Sequence, residues 1–134
     1  HGLGRIGLLE EEEALSAFIE RVKERLSVKE LRIVAENMEQ PIKRVAVCGG
    51  AGASLINAAA AKKADLFVTG DIKYHDALKA RELGLTLIDA GHGATEKVML
   101  WGIKRYLLTA FREKGFHHME VFESQTDVEF ILNY

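Results

Sequence analysis

The sequence predicts an α/β fold with a mainly parallel or mixed sheet flanked by helices. Three observations carry that prediction. Short apolar runs alternate with stretches of helical periodicity through the middle of the chain. Three of the runs end in small-residue or acidic loops. The chain has 134 residues, enough for one domain with a substantial core. It reads as a single α/β domain over residues 1–134.

Taken in order, the opening HGLGRIG has no methionine and shows neither a helix nor a strand start, so it reads as the middle of something longer. Glu10 to Leu26 suits a helix, because Leu15, Phe18, Ile19, Val22 and Leu26 recur at three- and four-residue spacing. The acidic run Glu10 to Glu13 would then complement the positive end of the helix dipole. Leu31 to Ala35 alternates as a strand does. NMEQPIK holds the single proline, Pro41, and reads as a connection.

From there the rhythm is regular. KRVAVCGG is a buried strand, Ser54 to Ala64 an alanine-rich helix and ADLFVTG a strand. Tyr74 to Leu83 is a helix stopped by Gly84. LTLIDAG is a strand, and Thr95 to Lys114 a long helix ending at Gly115. MEVFES and EFILN read as two closing strands. Alternating strands and helices make a mainly parallel sheet with helices on it. No repeat, linker or low-complexity segment interrupts the pattern.

Composition narrows the function. Hydrophobic residues make up 48% and charged residues 28%, ordinary for a soluble globular chain. The net charge is -2 and the pI near 6.2. No basic arm is visible, so direct nucleic-acid binding is not expected. A single cysteine, Cys48, precludes an internal disulfide and suits a reducing, cytoplasmic setting. No apolar run approaches the roughly 18 residues of a membrane span, and no signal peptide is visible.

If the strands are parallel, the loops CGGAGAS, TGDIKYHD and DAGHGATE gather at one edge of the sheet, where ligands bind in such folds. Each loop has two readings. Gly50-Ala51-Gly52 begins like a dinucleotide fingerprint, but Leu55 holds the third glycine position and the phosphate-loop lysine is absent. The loop is therefore a tight turn, with Ser54 capping the helix, or a contact for an anion. Asp71 and His75 lie four apart and share a face if the helix begins that early. Otherwise Asp71 caps it, with Lys73 and His75 solvated. His92 and Glu96 are also four apart. Either Thr95 caps a helix whose first turn holds Glu96, leaving His92 in a loop, or the imidazole and carboxylate reach one metal ion across a turn. Cys48 reads as a small buried hydrophobe, His117 and His118 as exposed turn residues, and Trp101, Tyr106 and Leu107 as core or subunit contacts.

In that order and spacing, VAVCGGAGASLI, ADLFVTGDIKYHDA and LTLIDAGHGATE closely resemble the carboxyl-terminal half of the Nif-three-like dinuclear metal-centre family. Its members often carry the name GTP cyclohydrolase I type II. The resemblance extends over essentially the whole chain, GLGRIGLL included. It implies an α/β fold, assembly into a homo-oligomer (a toroidal hexamer), and two divalent metal ions (zinc, iron or manganese) in the complete protein. It makes His92 and Glu96 metal ligands, with Asp71 and His75 lining the same cleft. A histidine pair and an acidic ligand of the family's first half are missing here. The pair His117-His118 sits near the wrong end and does not take their place. On this reading the chain supplies half of a metal site and holds metal partially or not at all by itself. The complete protein would be a metal-dependent hydrolase acting on a small molecule such as a nucleotide or phosphoester, possessing cyclohydrolase-like chemistry, with Asp71, His75 and Glu96 as its catalytic side chains. The alternative is a metal-binding scaffold or protein-interaction module with no turnover of its own.

Overall fold

The computed structural model describes residues 2–124 and 126. The chain divides into two compact units, His1–Thr95 and Glu96–Tyr134. The first holds a five-stranded sheet in the order β1-β3-β4-β5-β2. Its strands are β1 (Arg5–Ala14), β2 (Arg32–Val34), β3 (Pro41–Ala51), β4 (Leu66–Gly70) and β5 (Thr86–Asp89). The three central strands, β3, β4 and β5, are parallel. The edges β1 and β2 run antiparallel to their neighbours. The sheet is thus mixed, with a parallel centre.

The apolar runs of the central strands make sense because both faces are covered. Val45, Leu66, Val68 and Ile88 point to one side, where α1 (Leu15–Leu26) lays down Leu15, Phe18, Ile19 and Val22. Ala46, Phe67 and Leu87 point to the other, against Ile56 and Ala59 of α2 (Ile56–Ala61) and Ala80 of α3 (Tyr74–Glu82). Successive strand residues alternate sides, so each run feeds two cores.

The acidic run departs from expectation. Glu10 to Glu13 belongs to β1, and α1 has no acidic residue in its first turn. The pairing of β1 with β3 passes from Leu8↔Arg44 to Glu13↔Ile42, so the intervening residues of β1 bulge out of register. Glu10, Glu11 and Glu12 are exposed there. Charges and a bulge on an edge strand discourage pairing with another chain. Glu13 forms an ion pair with Arg21 of α1, and the Lys43 ammonium donates to the Glu10 carbonyl at 2.8 Å.

Two other boundaries shift. The alanine-rich segment begins as a 3-10 turn over Ala53–Leu55, with Ser54 inside it and no side-chain cap. The long helix α4 covers His92–Glu113, starting three residues ahead of Thr95. In the second unit that helix closes at Gly115, whose φ of 80° lets the Phe116 amide return to the Phe111 carbonyl at 2.8 Å. Trp101 and Tyr106 are exposed, so they are not core residues. Met119–Ser124 forms no strand, and EFILN lies outside the described residues. Among the described residues no helix is long and apolar enough to cross a membrane.

Phe67, the second residue of β4, is essentially inaccessible. Replacing it with alanine is expected to cost about 3–5 kcal/mol in chemical denaturation, the usual loss for a buried aromatic. A loss under 1 kcal/mol would contradict its place in the core.

Candidate functional site

The loops after β3, β4 and β5 do converge, and specific side chains fasten them to one another. Asp89, the last residue of β5, is a buried carboxylate. One oxygen accepts the Ile72 amide at 3.1 Å, from the loop after β4. The other accepts the Gly91 amide at 3.0 Å, from the turn into α4. Arg32 on β2 adds charge, its guanidinium 3.5 Å from the same carboxylate and donating to the Ile72 carbonyl. A buried carboxylate with hydrogen-bond donors on both oxygens is satisfied in place.

Gly70 brings the two loops closer still. A Cβ at that position would lie 2.7 Å from the Gly91 carbonyl carbon and 2.8 Å from the His92 nitrogen. Only glycine allows the end of β4 to pack on the backbone that opens α4. The next residue, Asp71, adopts φ 57°, the left-handed region that aspartate tolerates better than most residues. The result is a direct contact: an Asp71 carboxylate oxygen lies 2.6 Å from His92 Nδ1. Both side chains are about half exposed, 48% and 49%.

The glycine loop is tied into the same cluster, which decides between its two readings. Thr69 is fully buried on β4; its hydroxyl accepts the Gly52 amide and donates to the Gly50 carbonyl, both at 3.0 Å. The Gly50 amide donates to the Thr95 hydroxyl at 2.9 Å. The Gly50 and Gly52 amides, which could have faced an anion, are thus spent internally, which favours the structural reading of this segment. Cys48 is partly buried and packs against the α2–α3 side of the core, as a small hydrophobe does.

Thr95 does not cap α4. Its hydroxyl reaches back to the carbonyls of Gly91 and His92, at 2.9 and 2.8 Å. Gly91, at φ 82°, makes the turn, and His92 is the first residue of the helix instead of a loop residue. Glu96 follows four residues later in α4 and is exposed. Asp71 does not cap α3 either. The Lys73 amide is taken by Asp76 at 3.0 Å. His75 is exposed in the first turn of α3, its ring edge-on to Tyr74 at 6.1 Å. No hydrogen bond joins it to Asp71 or His92 among the described residues. His117 and His118 are exposed in a turn. Among the described residues no group of three or more histidine, cysteine or acidic side chains is arranged to hold a metal ion.

A cavity of about 310 Å³ lies elsewhere, between β1, β3 and α2, lined by Leu3, Ile6, Ala46, Leu55 and Phe67 among others. Its lining contains neither an imidazole nor a carboxylate.

The model of the Duf34/NIF3 (NGG1p interacting factor 3) family matches residues 1–128. The chain belongs to that family. A Bacillus subtilis relative named GTP cyclohydrolase 1 type 2 homolog is 42% identical over 126 residues, which is 94% of this chain and 33% of the relative. The solved structure of a Bacillus cereus protein related to NIF3 superimposes with a TM-score of 0.88 at 40% identity, over 99% of this chain and 36% of that one. A Staphylococcus aureus structure gives 0.89 at 35% identity, over 99% and 42%. The chain therefore spans about a third of the length of the curated relatives it matches.

The sequence named Asp71, His75, His92 and Glu96, and the structure brings Asp71 and His92 together. It adds Asp89, Thr69 and Gly70, for which sequence reasoning had no role. One signal was available for Asp89, a carboxylate at the end of an otherwise apolar strand. Asp89→Ala leaves two loop amides without an acceptor and is expected to destabilise the chain by about 2–4 kcal/mol. Hydrogen exchange at Ile72 and Gly91 should accelerate with it. Intact protection at both amides would show that the carboxylate is not the fastener.

Proposed function

We propose that this chain contributes part of a metal centre in a hydrolase of the Duf34/NIF3 family, with His92 and Glu96 as its metal ligands. The observation that supports this most is the His92–Asp71 contact. A histidine that ligates a metal through one ring nitrogen commonly donates the other N–H to a carboxylate. Here Nδ1 is so engaged at 2.6 Å, and the ring is about half exposed.

The donor set suits the group. Imidazole nitrogen and carboxylate oxygen bind zinc, iron and manganese. Glu96 stands one turn further along α4 and supplies the carboxylate. Among the described residues no group of three or more such donors is arranged to hold a metal ion. A pair of divalent metals held there would supply an activated water and polarise a substrate oxygen. The chain's own residues hold the ring of His92 in orientation through Asp71, keep that carboxylate at hand for a proton, and tie the three loops to one another. His75, in the first turn of α3, remains a candidate for proton transfer from the cleft edge. The substrate class is a small molecule with a hydrolysable bond, a nucleotide or phosphoester first among them, and the complete protein acts as a homo-oligomer, a hexamer by family resemblance.

A second reading, a metal-binding scaffold without turnover, draws support from the exposed apolar side chains Val98, Met99, Trp101 and Ile103 on α4. Exposed apolar residues grouped in this way suit a contact surface. Metal-dependent hydrolysis across a panel of nucleotides and phosphoesters, lost in Glu96→Ala, favours the enzyme. Intact metal binding with no turnover on any of them favours the scaffold.

Zinc titration tests the ligand assignment directly. The chain is expected to bind zinc weakly, and His92→Ala to weaken it at least tenfold more. Equal affinity in wild type and His92→Ala would remove His92 from the site.

A further inference from the structure

We propose that the cavity between β1, β3 and α2 binds a small amphipathic anion, an acyl chain that ends in a carboxylate. The site belongs to the first unit and shares no residue with the Asp71–His92 contact. It does not depend on the metal reading.

The cavity exists because the sheet extends beyond the helices that cover it. Register pairs Ile6 with Ala46, Ala46 with Phe67 and Phe67 with Leu87, so the four side chains form one row on one face. Helices α2 and α3 cover the Phe67 and Leu87 end of that row. Ile6, on edge strand β1, remains 37% exposed at the other end. Above it α2 presents Leu55, Ala58, Ala59 and Lys62, from its N-cap to its C-cap. Their spacing is that of one helical face. Ala46, Ala58 and Ala59 are too short to close the gap, and about 310 Å³ stays open.

The lining selects the ligand. Clefts for small molecules run from roughly 300 to 1,000 Å³, so this one suits a short chain. Apolar walls hold water poorly and accept an apolar body. The two charged residues of the lining, Arg5 and Lys62, are both cations. Arg5 pairs with Val47, one residue off the row of Ile6, so strand alternation sends its side chain to the opposite face. Its guanidinium donates to the Gly2 and Gly4 carbonyls, at 3.0 and 2.6 Å. Lys62 is exposed, and its ammonium has no hydrogen bond or ion pair among the described residues. Arg44 stands beside it. Two positions before Ala46 on β3, it shares that face, and its Nη1 donates to the Lys62 carbonyl at 3.4 Å. The neighbouring acid, Asp65, is occupied, one oxygen accepting the Lys43 and Arg44 amides at 2.9 and 2.6 Å. The rim at Lys62 is thus cationic, and the head group that complements it is an anion.

Octanoate is the probe, and octylamine is the same chain with the opposite charge. Titration into the 134-residue chain is followed by calorimetry and by amide NMR shifts. Saturable binding at a single site is expected, with shifts centred on Ile6, Ala58 and Lys62. Octylamine should bind about tenfold more weakly or worse, and Lys62→Glu should weaken octanoate by about tenfold. Ala58 is exposed, so Ala58→Leu fills the space without crowding the core. It should remove binding and keep the circular dichroism spectrum. If that variant does not fold, Lys62→Glu and the shift map still decide. Absence of saturable binding in wild type would overturn the proposal. Equal affinity for octylamine, shifts confined to other residues, or octanoate affinity unchanged in folded Ala58→Leu would do the same. Self-association in sedimentation that Ala58→Leu abolishes would also overturn it, because the occupant would then be a second copy of the chain.

Discussion

The carboxylate of Asp89 ends a buried strand and has two loops to hold. One oxygen takes the amide of Ile72 and the other that of Gly91. Neither loop has a helix or a strand of its own to fix it at that point. Those two bonds, with the Ala90 amide on the Thr69 carbonyl at 2.8 Å, hold together the segments that carry Asp71 and His92, each the immediate neighbour of a fastened amide. The contact between them depends on a residue that touches neither side chain. Burial makes the dependence strong, since an amide deprived of its acceptor inside a protein costs far more than one facing water.

The parallel centre of the sheet explains why the clamp can exist. β3, β4 and β5 all deliver their carboxyl ends to one edge, as open α/β sheets do with ligand sites. Thr69 fastens the glycine loop to β4, and Thr95 joins that loop to the first turn of α4. Three hydroxyl and carboxylate side chains thereby replace, at the edge, the ladder bonds that end with the strands. The small residues between them are there for close approach, most plainly at Gly70.

Much of this was legible in the sequence because apolar periodicity reports burial directly. The strands β2, β4 and β5 and the helix α3 lie close to where their patterns put them, whereas β3 begins at Pro41, within the segment read as a connection, and runs to Ala51. The segment Glu10 to Glu13 misled because helix amphipathicity resumes just after it, at Leu15, and four glutamates look like a helix start. An edge strand with a bulge can hold the same charges in water. The start of α4 misled because a threonine followed by glutamate resembles a cap, whereas Thr95 bonds backward to carbonyls of its own turn. For the site, spacing along the chain identified His92 and Asp71 separately. Their pairing is a contact between residues 21 positions apart, which no local pattern carries. Asp89 was visible as a letter in the motif, but its role is to accept two backbone amides, and backbone partners leave no trace in residue type.

Family membership and geometry bear on different questions. Membership in the Duf34/NIF3 family rests on a match over nearly the whole chain, while the chain covers about a third of its Bacillus subtilis relative. Geometry bears on the proposed role of His92 as a metal ligand. Anomalous diffraction from crystals of the chain grown with zinc tests this most directly. The predicted result is a zinc peak about 2.0–2.1 Å from a ring nitrogen of His92. Zinc bound only at residues remote from His92 would contradict it.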